Sequence, residues 1–188
     1  MTDINKIGRF VFKMRGGIWT IFFVAVLFFA RPDGMRVSIG IPLLAAGQLI
    51  RLWASGCIEK YRGENLQAPK LTTWGPYALA RNPLYLGNWL IGLGWSFLAG
   101  WNMLLLFLII FFIVYDCFII PVEEGFLEDK FGGQYRDYKK RTGRFFPKKL
   151  PVLGIKGPFN SSILWKSESH SILMTVLGTL LILSRYWW

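Results

Sequence analysis

The stretch LYLGNWLIGLGWSFLAGWNMLLLFLIIFFIVYDCFIIP, residues 84–121, decides the fold. It holds two apolar runs, residues 84–100 and 102–120, joined through Ala99-Gly100-Trp101. No basic residue falls in it, and its one acid is Asp116. Runs of this length and polarity read as bilayer-spanning helices. So short a joint predicts a tight helical hairpin, with the far ends of the two helices close together on one membrane face.

Three further apolar segments flank the pair, at residues 16–30, 37–57 and 172–188. The first is short, so Phe10 and Phe12 extend it while Lys13 and Arg15 snorkel. FFARPDG follows it and offers no small-residue cleavage site, which favours a retained span over a signal peptide. The second is interrupted by Pro42, Gln48 and Arg51, and the fourth is expected to end at Pro121. The expected fold class is an all-α integral membrane protein of about five transmembrane helices with a cytoplasmic pocket. Three regions are expected: 1–70 with the N-terminal spans, a core at 71–150, and an extension at 151–188 with one span.

Composition alone would not decide this. The chain has 188 residues and 53% apolar content, only slightly above a soluble average. Its nine Trp and sixteen Phe gather near the ends of the runs, as interfacial aromatic belts do. The formal net charge of +11 is explained by basic loops beside the spans, and no nucleic-acid motif accompanies it. The lipid bilayer is therefore the expected partner, and nucleic acid is not.

Lys6, Arg9, Lys13 and Arg15 precede the first span, and Lys60, Arg62, Lys70 and Arg81 lie between spans two and three. Ten Lys or Arg lie between spans four and five, against Arg31, Arg36 and Arg185 on the other side. The bias predicts a cytoplasmic N-terminus, with both ends of the central pair opening to the cytoplasm. Cys57 and Cys117 sit in or near apolar runs and read as packing residues, not a disulfide. His170 has no neighbours at metal-ligand spacing, and the sequon at Asn160 falls on the cytoplasmic side, where it reads as chance.

Two blocks flank the central pair: TTWGPYALARNPLYLGNWLIGLG at 72–94 and PVEEGFLEDKFGGQYRDYKKRTGRFFP at 121–147. Asn82 and Pro83 fit the N-cap and first position of a helix whose free amides suit a carboxylate, or simply an ordinary capped start. Gly92 and Gly94 allow either a neighbouring helix or a flat ligand to approach closely. Glu123 and Glu124 favour a helix start electrostatically, or hold cationic or hydroxyl groups of a ligand. Asp116, ionisable within a span, is a functional candidate, with Arg51 or Tyr115 as the alternative polar contacts. It lies about two turns before Glu123, so the two should share a face. Tyr135, Tyr138 and Arg144 belong to an expected amphipathic surface helix and its exit, either solvated or closing over the pocket.

Together these residues resemble the integral membrane methyltransferases that include the isoprenylcysteine carboxyl and phospholipid N-methyltransferases. The resemblance covers residues 71–147. GPYALARNPLY at 75–85 is similar to the family's G-x-Y-x-x-x-R-H-P-x-Y, Gly92-Leu93-Gly94 to its G-x-G, and Glu123-Glu124 to its paired glutamate. Phe131, Gly132, Tyr135, Tyr138, Thr142, Gly143, Arg144 and Pro147 meet its closing pattern. Asn82 replaces the family histidine: it can keep a hydrogen bond but cannot carry a positive charge.

The resemblance implies S-adenosylmethionine as methyl donor. It implies cofactor contacts at Tyr77, Arg81, Asn82, Pro83, Tyr85, Leu86, Gly92, Gly94, Glu123 and Glu124. Substrate contacts would fall at Tyr135, Tyr138 and Arg144, with Arg144, Glu124 and Asp116 nearest the chemistry. The acceptor would be an amphiphilic lipid or a prenylated substrate, with a lean towards isoprenylcysteine-type carboxyl methylation and phosphatidylethanolamine N-methylation as the alternative. A non-catalytic scaffold of the same fold is the reading from another class. A channel or transporter is disfavoured by the few charges within the spans.

Overall fold

The computed structural model describes residues 3–58, 68–148 and 154–187, and Lys60 and Arg62 of the basic loop lie outside them. The described residues are helical apart from short connections and one isolated parallel bridge between Ala80 and Gly143. The helices are α1 (Asp3–Phe29), α2 (Gly34–Cys57), α3 (Pro76–Leu79), α4 (Pro83–Ala99) and α5 (Trp101–Phe111), then a π-helix (Phe112–Ile119), α6 (Ile120–Phe131), α7 (Gly133–Arg141) and α8 (Ser161–Ser184).

Among the described residues, four helical stretches are long and apolar enough to cross a bilayer: Ile7–Phe29, Gly34–Cys57, Trp101–Phe131 and Ser161–Ser184. Large apolar side chains such as Ile21, Phe28, Leu105, Phe112, Leu173 and Leu180 point outward from them. So extensive an exposed apolar surface suits lipid rather than water. The chain is an integral membrane protein.

Helix α4 has 17 residues, about 25 Å at 1.5 Å per residue. It is the central post of the bundle, and its contact with α2 is the most extensive in the molecule. Small residues allow that contact: a side chain at Gly47 would strike the carbonyl of Gly87, and one at Gly94 the carbonyl of Gly40. Gly100, at φ 114, makes the turn from α4 into α5 in a conformation that other residues rarely adopt.

Helix boundaries differ from the sequence expectations at three places. The first helix begins at Asp3, ahead of its basic residues. Arg15 folds back with its guanidinium 3.8 Å from the centre of the Phe12 ring, so the charge travels along the helix instead of preceding it. Pro121 does not end the fourth span, and the helix runs on to Phe131. Residues 112–119 are wound as a π-helix, and Ile120 donates its amide to the carbonyl of Tyr115 across this wider turn. A missing donor at Pro121 is absorbed where the hydrogen-bond ladder has already changed step. The last helix starts at Ser161, well before residue 172, because the Asn160 side chain accepts from the amides of Ser162 and Ile163.

The core lies between α1, α4 and the α5–π segment. Trp19 meets Phe22, Phe107, Phe111 and Tyr115, stacking on Tyr115 at 5.6 Å. Helix α8 packs against α2 and α4, where Trp95 donates to Thr179 at 3.0 Å and Thr175 donates to Gln48 at 3.0 Å.

Candidate functional site

The two sequence blocks meet at one end of the bundle, where the chain after α7 folds back beside the start of α4. The amide of Arg81 donates to the carbonyl of Gly143 at 2.9 Å, and that of Asn82 to the carbonyl of Arg144 at 3.2 Å. Tyr138 adds a tie from its hydroxyl to the carbonyl of Tyr77 at 2.7 Å. These bonds fix the distance between residues some sixty positions apart in sequence.

Glu124 is the hub and is almost fully buried. Arg81 donates to its Oε1 through Nε at 3.0 Å and lies 2.9 Å from it through Nη2, while Nη1 reaches the carbonyls of Thr142 and Lys139. Asn82 Nδ2 is 3.4 Å both from Glu124 Oε1 and from the carbonyl of Arg144. Lys139 Nζ stands 3.6 Å from Glu124 and 3.6 Å from Glu128. Arg144 Nη1 donates to Asp116 Oδ1 at 2.6 Å, and its Nε is 4.0 Å from Glu124. Several charge-assisted bonds on one buried carboxylate hold it in place.

Glu123 is buried beside this hub and accepts from the Tyr85 hydroxyl at 2.6 Å. Asp116 and Glu124, not Asp116 and Glu123, share Arg144. The intervening π-turn adds length to the helix step, so α-helical counting places the wrong glutamate opposite Asp116. Tyr135 is buried against Tyr138 with ring centres 6.0 Å apart. Burial raises the phenol pKa of Tyr135, and the Glu124 carboxylate pushes it the same way. Burial also raises that of Tyr138, followed by its neighbour Tyr77. Both are therefore neutral hydrogen-bonding groups at any ordinary pH.

Next to the hub lies an apolar cavity of about 380 Å³ between α4 and the α5–π segment. Leu86, Trp89, Phe111, Phe112 and Phe145 form much of its wall, and Asp116 is its ionisable residue. The cavity thus ends in the Asp116–Arg144 pair. Arg144 is 36% exposed, against 7% for Arg81, so it can change partner more readily than Arg81.

The structure brings together Tyr77, Arg81, Asn82, Tyr85, Asp116, Glu123, Glu124, Tyr135, Tyr138 and Arg144. Pro83 occupies the first turn of α4, and Leu86 faces the cavity. Gly92 and Gly94 are not brought to the carboxylates. A side chain at Gly92 would fall inside the Phe107 ring, and one at Gly94 would strike Leu44 and the Gly40 carbonyl. Both glycines lie at close packing contacts, and Gly92 also lines a second cavity of about 220 Å³. The sequence reading missed Lys139, although Glu124 and Glu128 stand at i,i+4 spacing and so present one acidic face to it.

A sequence model of the phospholipid methyltransferase family matches residues 35–134. The chain is 31% identical over 159 residues to the cobalt-zinc-cadmium resistance protein CzcN of Cupriavidus metallidurans, covering 77% of this chain and 68% of that protein. It is 29% identical over 157 residues to the nickel-cobalt-cadmium resistance protein NccN of Alcaligenes xylosoxydans xylosoxydans, covering 77% and 70%. An uncharacterized protein of Haemophilus influenzae is 42% identical over 62 residues, covering 33% of this chain and 98% of its own length. No solved structure matches the chain. With the match spanning α2 to the start of α7 and the spans in place, the chain belongs to the phospholipid methyltransferase family of integral membrane proteins.

Proposed function

We propose that the protein is an S-adenosylmethionine-dependent methyltransferase acting on a lipophilic acceptor at the cytoplasmic membrane interface. One observation carries the reading. The apolar cavity is lined by Asp116, and the arginine bonded to Asp116, Arg144, lies 4.0 Å from Glu124 of the buried hub.

The donor set suits the cofactor. Two buried carboxylates beside tyrosine rings favour a cation, whether sulfonium or ammonium. Arg81 and the first turn of α4 suit the cofactor's carboxylate. Glu123, Glu124, Arg81, Asn82, Tyr77 and Tyr85 would hold it, and when bound it supplies an electrophilic methyl group. Asn82 donates to Glu124 without adding a positive charge.

The residues of the chain then align and desolvate the acceptor. The cavity takes its apolar tail and keeps water from the reacting end. Arg144 turns from Asp116 to an anionic group of the acceptor. A carboxylate acceptor, as in isoprenylcysteine-type O-methylation, needs no base. A headgroup amine needs one, and Glu124 or Asp116 would take the proton while Arg144 holds the phosphate. The phospholipid reading is favoured by the description of the matched family, and the carboxylate reading by the T-G-R-x-x-P ending at 142–147.

Five spans, with α4 and α5 as the hairpin, fit the charge bias that puts the hub in the cytoplasm. Residues 71–150 would be the catalytic core. The metal-resistance names of two relatives fit an indirect role, through methylation of a membrane component.

Purified protein in lipid, given methyl-labelled S-adenosylmethionine with phosphatidylethanolamine or a farnesylated cysteine analogue, should label one acceptor. Glu123→Gln should not. Absence of both label and cofactor binding in the wild type would overturn the reading in favour of the scaffold.

A further inference from the structure

Helix α8 lies beyond the family match, yet it carries a buried acid into the bundle. Glu168 is 3% exposed, two turns into the helix. Arg51 of α2 meets it as a fork: Nε donates to Oε2 at 2.9 Å and Nη2 to Oε1 at 2.9 Å. A closed ion pair within membrane spans is costly to desolvate, and such residues more often serve a site than an anchor.

The pair does not stop at α8. The remaining guanidinium nitrogen of Arg51 donates to Asn88 Oδ1. That fixes the orientation of the Asn88 amide, whose Nδ2 then donates to the Tyr115 hydroxyl at 3.1 Å. The Tyr115 ring lies 4.7 Å from the ring of Tyr85, and Tyr85 donates to Glu123. An unbroken series of contacts therefore joins Glu168 to a carboxylate of the hub.

We infer that Glu168 is a positioning residue: through Arg51, Asn88 and Tyr115 it sets the place of Tyr85, and so the readiness of Glu123 to receive the cofactor. The inference rests on the methyltransferase reading only at its last link. Its earlier links are a property of the folded chain. Helix α8 is then a working part of the site, although it contributes no group to the hub.

The test uses the full chain in lipid nanodiscs, with 3-fluorotyrosine placed at position 85 and S-adenosylhomocysteine as the binding probe. Glu168→Gln and Tyr115→Phe break the series at opposite ends, and Ser169→Ala, on the exposed face of α8, is the control. Both breaking variants should move the fluorine resonance of Tyr85, and the control should not. Each should weaken binding about tenfold, and the double variant no more than the weaker single, since members of one series do not act independently.

An unmoved resonance in folded Glu168→Gln and Tyr115→Phe overturns the inference, whatever the wild type binds. So does a moved resonance with wild-type affinity, or a double variant weakened by the product of the two singles. A moved resonance in a wild type that binds no cofactor upholds the series and overturns the methyltransferase reading alone. Should Glu168→Gln fail to insert, Tyr115→Phe carries the same test.

Discussion

Arg81 and Arg51 are both arginines held largely out of solvent against a buried glutamate, yet they sit in different kinds of pair. Arg51 and Glu168 close a two-bond fork between α2 and α8. Glu124, the partner of Arg81, is shared with Lys139 and approached by Arg144, which also holds Asp116. A closed fork locks two helices. A shared carboxylate leaves its more exposed cations replaceable, and one of them, Arg144, is bonded to Asp116 of the apolar cavity. Burial alone does not mark a reacting group, whereas the number of competing partners around it does.

The contrast can be broken from either side. Glu124→Gln should have the largest effect, lowering methyl transfer by about a hundredfold or more, as loss of a central charged group does. Label incorporation at saturating acceptor checks it. Arg51→Met should act on stability as well as on cofactor binding, costing about 3 kcal/mol because Glu168 is left buried and unpaired. The double variant Arg51→Met/Glu168→Met should recover most of that in thermal unfolding. If single and double variants melt alike, the fork is not the lock described.

Smaller effects sharpen the comparison. Arg144→Gln should raise the KM for the lipid acceptor about tenfold while cofactor affinity changes less than about twofold, separating acceptor from cofactor roles. Gly92→Ala should cost about 1–3 kcal/mol through overpacking against Phe107, with cofactor affinity unchanged in the folded fraction. The mildest effect concerns Tyr135 and Tyr138, whose folded pKa values are raised by burial. Their contribution is complete below about pH 10, the ordinary phenol value, and declines above it as the unfolded chain releases protons first. Melting temperatures should therefore fall on the alkaline side of about pH 10 and change less steeply in Tyr138→Phe.

Much of this was legible in the chain itself. Apolar runs marked four of the five expected spans, because a bilayer core admits little else, while the segment at 84–100 forms the shorter α4. Proline at 83 and glycine at 100 marked where α4 starts and stops, since each acts through its own backbone, whereas the Asn82 side chain turns to Glu124 and makes no cap hydrogen bond. The motif spacing brought Arg81, Glu124 and Arg144 under consideration together. The tertiary structure decided what local rules cannot. The π-turn before Pro121 chose Glu124 over Glu123 as the partner of Arg144, through a change of step that no single residue announces. Packing set Gly92 against Phe107 and Gly94 against α2. Glu168 found Arg51 across 117 positions, a pairing set by where two helices cross and not by any pattern along either of them.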